Sequence, residues 1–548
     1  MAKSDAKKKE KPQHEGQRGI LGLIERAGNR LPDPVFIFFY LIFALMVVSV
    51  VSSLMGVSAT LNDKVLAGMG QASLDRFGIK EDGVISAVSL LSAQNIQRLW
   101  VEMPKTFTHF HPLGYVLVVM LGAGVAERSG LFSSAMRAAV RGAPKYLLTP
   151  VVALVAMIGN HAADAAYVVL IPLAGVLYAS AGRHPLAGIA AAFAGVSGGF
   201  SANIAPGQLD ALLFGITQQA GEVLVPSYEA NIAGNWWFIA MMTFLFMPII
   251  WFVTDVLIEP RLGKYVPEGD AVNSVSDENE PLTAAEQKGL GRAGIACLLV
   301  VVAWLVMTFA PGTPLIADEG AGANNELVLQ LRPLFQSLVA AFFILFLAAG
   351  WAYGAAAGTI KDKQDIVRMM TDSMKDLGYY LVLAFAAAHF VAMFNWSNLG
   401  LISAVHGADA IEQSGLPLPV LLALIVIFSG LINLFVGSAS AKWALLAPVM
   451  VPMLMLLGVS PEGATAVYRV GDSATNIITP LMVYFPLILI FCQRWKADFG
   501  IGSLTAMMIP YSIWLMISGV LLTMAWVYLG WDLGPGAPMT YEIPVAAP

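Results

Sequence analysis

The chain has 548 residues, of which 57% are hydrophobic and only 12% charged, against about 25% charged in soluble domains. That composition excludes an ordinary soluble domain and makes the chain a polytopic membrane protein whose standing partner is the lipid bilayer, with no feature of a nucleic-acid binder. The formal charge of −6 says little as a total, because the two signs are sorted along the chain.

Residues 1–34 begin Lys-rich and polar with no signal-peptide pattern behind them and read as a cytoplasmic tail. A full crossing needs about 20 apolar residues. The predicted full spans are Val35–Val57, Gly114–Ala126 with its flanks, Trp236–Leu257, Ala293–Ala310, Leu334–Trp351, Gly378–Phe394 and Leu504–Leu529. Two further segments cross with breaks: Leu186–Thr217, interrupted around Ser197–Gly207, and Ala464–Phe491, interrupted around Gly471–Asn476. Together they make about nine crossings.

The breaks carry related sequences, Ser201-Ala202-Asn203-Ile204-Ala205-Pro206 and Ser473-Ala474-Thr475-Asn476-Ile477-Ile478-Thr479-Pro480. Ahead of each lies a pair of apolar arms joined by a small polar turn. Thr149–Ile158 and Asp164–Tyr178 flank Gly159-Asn160-His161-Ala162-Ala163; Pro419–Phe435 and Ala441–Leu457 flank Val436-Gly437-Ser438-Ala439-Ser440. Both read as re-entrant hairpins. Interrupted segments in matching places of two halves mark the binding site of a secondary transporter. Irregular backbone at membrane depth survives only where protein or a water-filled cavity satisfies it.

Lys and Arg concentrate on cytoplasmic loops. With the N-terminus inside and each hairpin returning to its own side, Arg128, Arg137, Arg141, Lys145, Arg183, Arg261, Lys264, Lys361, Arg368 and Arg494 fall inside. The outer loops 221–235, 311–325, 395–417 and 530–548 hold no Lys or Arg. The long first outer loop, with Lys64, Arg76, Lys80, Arg98 and Lys105, is the exception. The first hairpin then enters from the cytoplasm and the second from outside, which makes the two units inverted repeats. The predicted organisation is a tail (1–34), first scaffold helices with an outer loop (35–130), repeat 1 (147–219), central scaffold helices (235–395), repeat 2 (417–493), a last helix (503–530) and a periplasmic tail (531–548). The fold class is all-α, with about nine transmembrane helices, two opposed hairpins, and elevator-like scaffold and transport domains.

Ionisable groups at membrane depth are expensive and mark pathways. Asp164 either caps the returning arm of the first hairpin or binds ion or substrate; His161 beside it has no metal-ligand spacing. Arg469 and Asp472 flank the second break, as a salt bridge that holds the broken helix or as a carboxylate clamp and an ion ligand. Ser440 is a natural N-cap at the second tip. Lys442 there opposes the helix dipole unless an anion is present. Trp443 packs or stacks on a ligand. Asn160, Asn203, Ser438 and Asn476 supply neutral oxygens that suit Na+. Asp210, just past the first break, is left undecided. His389, Asp255 and Glu127 read as structural. Cys297 and Cys492 lie in apolar segments and indicate no disulfide framework. Gly289-Leu290-Gly291-Arg292-Ala293-Gly294 has dinucleotide-loop spacing but no strand before it. With no Walker A or zinc sequence, an ion gradient is the expected energy source.

Gly437-Ser438-Ala439-Ser440-Ala441-Lys442-Trp443, followed by Tyr468-Arg469-Val470-Gly471-Asp472-Ser473, resembles the p-aminobenzoyl-glutamate transporter (AbgT) family. The stretch from Asn160 to Pro172 fits less specifically, and the similarity runs from about Gly19 to Leu529. The resemblance implies nine membrane helices with two opposed hairpins, assembled as a homodimer; the charge sorting and the odd number of crossings put the N-terminus inside and the C-terminus in the periplasm of a bacterial inner membrane. The resemblance places substrate-binding positions at Ser440, Trp443, Pro461, Arg469, Asp472 and Pro480, with Asp164 as the first-half counterpart. It implies uptake of p-aminobenzoyl-glutamate or efflux of sulfonamides, without choosing. The expected function is ion-coupled transport of aromatic folate-type anions, with no cofactor other than Na+. The rivals are a proton-driven sulfonamide exporter and a sodium-coupled dicarboxylate symporter. An intramembrane hydrolase would need a nucleophile or metal motif that the sequence lacks, and a passive channel would need a continuous pore.

Overall fold

A computed structural model describes residues 33–61, 66, 74, 77–79, 83–141, 143–162, 166–265, 281–310, 312, 314–316, 330–479 and 481–543. These residues are overwhelmingly helical, because a helix satisfies all its backbone polar groups within one segment and needs no water to do so. α1 (Pro34–Leu54) starts at Asp33, whose carboxylate accepts from the Val35 amide at 2.8 Å, and Pro34 sits where no backbone donor is needed. A short antiparallel ribbon follows, β1 (Ser58–Thr60) on β2 (Val84–Ser86). Then come α2 (Ala93–Thr108), α3 (His111–Arg128) and α4 (Leu131–Arg141).

The first hairpin is α5 (Leu148–Ile158), a tight turn at Gly159–Ala162, and a wide turn at Ala166–Leu170 that leads into α6 (Ile171–Ser180). The first broken segment is α7 (Pro185–Phe193), a wide turn at Ala194–Gly198, irregular backbone through residue 207, and α8 (Gln208–Gly221). The central helices are α9 (Trp236–Phe252), α10 (Ala284–Phe309), α11 (Leu338–Ala357), α12 (Lys363–Asp376), α13 (Gly378–Trp396) and α14 (Leu399–Ser414). The second hairpin is α15 (Leu418–Asn433) and α16 (Ala439–Leu456); the second broken segment is α17 (Pro461–Thr475) and α18 (Phe485–Gln493). α19 (Ile501–Leu529) is last.

Among the described residues, eight helices are long and apolar enough to cross a membrane. Seven of them overlap the predicted unbroken spans (α1, α3, α9, α10, α11, α13 and α19), and the eighth, α16, is a hairpin arm. The two broken segments bring the crossings to nine.

The second break differs from the prediction. It was expected around Gly471–Asn476, yet α17 runs on to Thr475. The Thr475 hydroxyl donates back to Gly471 O at 2.9 Å, as in a regular helix. Gly471 is a packing device: a Cβ there would sit 2.1 Å from the Val426 carbonyl oxygen of α15. The chain opens only after Asn476. The stretch 395–417, expected as an outer loop, contains α14. The helix starts at Asn398, whose φ of 61° is left-handed, and it is too short for a span. α2, α4 and α12 are also helices that the apolar-length argument passed over.

The repeats lie at the centre. Every residue of α17 is buried. It packs on α15, α16, α8 and α19. α10 buries only Gly289, Ala293 and Thr308, and packs mainly on α11; the rest of its apolar surface faces outward, as a lipid-exposed helix does. Residues 1–32 and 544–548 of the two predicted tails lie outside the described residues.

Candidate functional site

The second hairpin tip carries a buried cation. Lys442 stands in the first turn of α16 with no exposed surface, and its Nζ donates to Asp472 Oδ1 of α17 and to Asn433 Oδ1 of α15. Asp472 is the anion that offsets a positive charge at a helix N-terminus. Asn433 ties the arm to the broken helix. Its Nδ2 donates to Asp472 O at 2.7 Å, Thr475 Oγ1 at 2.9 Å and Asn476 Oδ1 at 3.0 Å. Ser438, not Ser440 as expected, caps α16, because the helix already starts at Ala439; it accepts from Ala441 N at 3.3 Å, and its hydroxyl lies 3.3 Å from that of Ser440.

A second buried pair crosses between the repeats. Arg469 Nη1 of α17 donates to Asp210 Oδ1 of α8 at 2.5 Å, and Nη2 to Ser201 O of the first break at 3.3 Å. Asp210 Oδ2 accepts from Gly207 N at 2.8 Å, which anchors the start of α8. Ser473 Oγ accepts from Ser201 N at 2.9 Å. Arg469 and Asp472 therefore do not pair with each other. One helical step apart on α17, they reach different elements, so the salt bridge considered between them is replaced by two pairs. Arg469 Nε and Ser201 Oγ are buried with no partner among the described residues.

At the first hairpin, tip and break meet as they do in the second repeat. Asn160 Nδ2 donates to Gly199 O at 3.3 Å, and Asn203 Nδ2 to Met157 O at 3.4 Å, while Asn203 Oδ1 accepts from Ile204 N at 2.9 Å. Gly207 lies against the His161 ring; a Cβ would stand 2.4 Å from Nδ1. In the second repeat Thr479 Oγ1 donates to Leu434 O at 3.3 Å, and Gly437 packs on Leu481 O.

Trp443 has no exposed surface. Its ring stacks on Tyr468 at 4.5 Å between centroids, and its Nε1 donates to Thr217 Oγ1 at 2.9 Å. Thr217 in turn pairs with Thr465 at 2.8 Å, on the turn that starts at Pro461. Tyr468 Oη donates to Ala439 O at 2.6 Å. The hairpin tip is thus shut onto α17 and α8, and the charged groups are sealed inside.

The structure brings Ser440, Trp443, Arg469, Asp472, Asn433 and Asp210 into the region where the hairpin tip, the first break and α17 meet. Asp164 and Pro480 lie outside the described residues. Asn476 meets Asn433, and Ser438 meets Ala441 and Ser440. Asp210, left undecided in the sequence, is a first-half acid that reaches the centre among the described residues. Asn433 and Thr217 were not singled out; a lone Asn in the largely apolar arm 418–433 was the available signal. Of the residues read as structural, Asp255 accepts from Thr149 at 2.7 Å and Arg183 at 2.5 Å, and His389 Nδ1 lies 2.7 Å from Phe385 O while its buried Nε2 has no partner among the described residues.

Among the described residues no group of three or more His, Cys, Asp or Glu is fit to hold a metal. The neutral oxygens of the first repeat, with the orphaned Ser201 Oγ, are of the kind that suits Na+. In the second repeat an ammonium already sits between the carboxylate and amide oxygens.

The model of the AbgT family of transporters matches residues 19–541. The p-aminobenzoyl-glutamate transport protein of Escherichia coli K12 is 33% identical over 519 residues, which cover 94% of this chain and 96% of that protein. The crystal structure of the Alcanivorax borkumensis YdaH transporter is 38% identical, with a TM-score of 0.82, over 92% of this chain and all of that one. Neisseria gonorrhoeae MtrF, described as illuminating a class of antimetabolite efflux pumps, is 40% identical, with a TM-score of 0.85, over 94% of this chain and all of that one.

Proposed function

The chain belongs to the AbgT family of transporters, and on that premise we propose that it is an ion-coupled secondary transporter of p-aminobenzoyl-glutamate or related aromatic folate-type anions. The observation that carries this reading is the buried Arg469. Its Nη1 is on Asp210 and its Nε has no partner among the described residues, so a carboxylate that displaces or joins Asp210 finds a donor already desolvated. When the hairpin tip lifts, the Trp443–Tyr468 stack beside it offers ring faces for an aromatic cargo. Ser440 and Asp472 line the same tip, and Pro461 starts the helix that carries Arg469. The E. coli relative's name gives the cargo class.

The sealed pairs suit alternating access. A closed tip hides its charges from both sides, and each hairpin with its broken helix moves against the unbroken helices. Na+ in the first repeat, at Asn160, Asn203 and Ser201, is part of the proposal. So are a homodimer held by the scaffold helices and a bacterial inner membrane with the N-terminus inside. The MtrF description favours a second reading, export of sulfonamide-type antimetabolites. Counterflow decides between them. Purified protein in liposomes preloaded with p-aminobenzoyl-glutamate is expected to exchange it with labelled external ligand. Exchange of a sulfonamide alone would favour export, and exchange of neither would reject both.

A further inference from the structure

We propose that the groove between α9, α19 and the start of the C-terminal tail binds one ammonium-headed phospholipid of the outer leaflet. The site goes beyond the transport reading and involves no cargo. α9 turns Trp237, Met241 and Phe244 outward at i, i+4 and i+7, one stripe of a helix. They are 46%, 41% and 61% exposed. α19 ends at Gly530, whose φ of 63° is left-handed. The turn sets Trp531 beside Trp526, with ring centroids 5.4 Å apart and planes nearly perpendicular. Trp526 is buried and fixed: its ring meets Phe238 of α9 edge-on at 5.3 Å, and its Nε1 donates to Asp532 O at 3.2 Å. Trp237, Met241, Phe244, Trp526, Trp531 and Asp532 line one groove of about 420 Å³. Tryptophans gather where a bilayer meets water, and this groove lies at the ends of α9 and α19 that the charge sorting places outside.

Charge selects the occupant. α9, α19 and the tail 530–548 contain no lysine or arginine. Asp532 is exposed, and its carboxylate has no hydrogen bond or ion pair among the described residues. An ammonium answers that carboxylate, and the indole faces around it attract the same group through their ring quadrupoles. Trp237 and Trp531 also carry indole N–H groups without an acceptor among the described residues, and a phosphate takes such donors. Deeper along α9, Met241 and Phe244 offer an apolar wall to an acyl chain. One lipid therefore meets a carboxylate for its ammonium, N–H groups for its phosphate and a bed for its chain. A phospholipid with a glycerol head lacks the ammonium and sets a net negative charge against Asp532. A second copy of the chain fits poorly, because a two-fold contact through this face would place Asp532 against Asp532 with no basic residue of α9, α19 or the tail between them.

The test uses full-length protein in nanodiscs of equimolar dioleoyl phosphatidylethanolamine and dioleoyl phosphatidylglycerol, read by native mass spectrometry at a collision energy that strips all but the tightest lipids. The wild type is expected to keep one phosphatidylethanolamine per chain at this groove. Asp532→Asn holds the shape and removes the charge. It is expected to lower phosphatidylethanolamine occupancy roughly five- to tenfold, the size of an interfacial cation–π contact with an exposed ion pair, and to leave phosphatidylglycerol occupancy unchanged. Trp531→Ala is expected to lower the same occupancy severalfold. Both side chains are exposed, and an unchanged melting temperature in each variant shows that the fold is intact. No phosphatidylethanolamine retained by the wild type, or equal retention in wild type and Asp532→Asn, overturns the proposal. Parallel loss of both lipids overturns it too and leaves ordinary boundary lipid. Loss of a dimer mass in Trp531→Ala overturns it in favour of a contact between copies of the chain. No arm measures transport, so failure of the lipid site and failure of the cargo assignment are told apart.

Discussion

Arg469 of α17 and Asp210 of α8, 259 residues apart in the chain, form a buried ion pair at 2.5 Å. The pair joins the broken helix of one repeat to that of the other. Ser473 Oγ, accepting from Ser201 N at 2.9 Å, adds a second tie across the same boundary. The repeats therefore meet through polar groups as well as packing. Such a boundary can be remade when a ligand competes for one partner.

Packing within the second repeat gives a direct test of its rigidity. Gly471 lets α17 approach α15 so closely that a Cβ would lie 2.1 Å from Val426 O and 2.7 Å from Gly430 N. Both are backbone atoms and cannot turn away. Gly471→Ala is expected to destabilise the folded protein by about 1–3 kcal/mol, the usual cost of overpacking, and to lower the melting temperature in detergent. Gly291→Ala, with nothing within 4 Å, is the control and should leave it unchanged or slightly higher. Equal melting temperatures would mean that hairpin and broken helix are not held as one body.

Topology is tested at the C-terminal tail. Ala537 is buried, because residues 531–543 are strapped down: Ser460 N donates to Met539 O at 2.9 Å and Tyr541 N to Gly458 O at 2.8 Å. Pro538 is exposed. With Cys297 and Cys492 replaced, Pro538→Cys is expected to react with an impermeant thiol reagent from the outside of intact spheroplasts. Reaction only after permeabilisation would reverse the assignment of sides.

Much of this molecule was readable because the bilayer leaves few choices. Apolar length alone located α1, α9, α13 and α19, and small polar turns located both hairpins. Partners across the fold were hidden. Nothing local to Asp210 says that it faces Arg469, because the link depends on how two broken helices cross. Lys442 was visible as a charge in conflict with its helix end, and the structure supplies the anion, Asp472. Gly471 was read as a breaker because close packing and helix interruption both call for glycine; only the position of Val426 O separates them. α14 escaped because it is too short and too polar along one face to register as a span.

Sodium is tested at the first repeat, where Asn160 Nδ2 donates to Gly199 O and Asn203 Nδ2 to Met157 O at the meeting of tip and break. Uptake of p-aminobenzoyl-glutamate at fixed pH is expected to rise with external sodium. Asn203→Ala should raise the sodium concentration for half-maximal uptake by about tenfold or more, as befits a lost ligand worth ~1.4 kcal/mol. Uptake that ignores sodium in the wild type would remove the cation from this repeat and leave the proton as the coupled ion.

The same arginine that joins the repeats is the proposed reader of the cargo, and the two roles predict different losses. As a clamp, Arg469 holds a ligand carboxylate through charge-assisted bonds. Truncating one partner of such a desolvated contact costs about 2–5 kcal/mol, more than tenfold in affinity. A neutral sulfonamide makes no such bond. Arg469→Ala is therefore expected to weaken p-aminobenzoyl-glutamate binding far more than sulfonamide binding. The variant also leaves Asp210 buried and unpaired, which is destabilising in its own right. Arg469→Ala with Asp210→Asn removes that burden and should recover stability without recovering carboxylate binding. Equal losses for both ligands in the single variant, or return of carboxylate affinity in the double, would make Arg469 a structural tie between the repeats and nothing more.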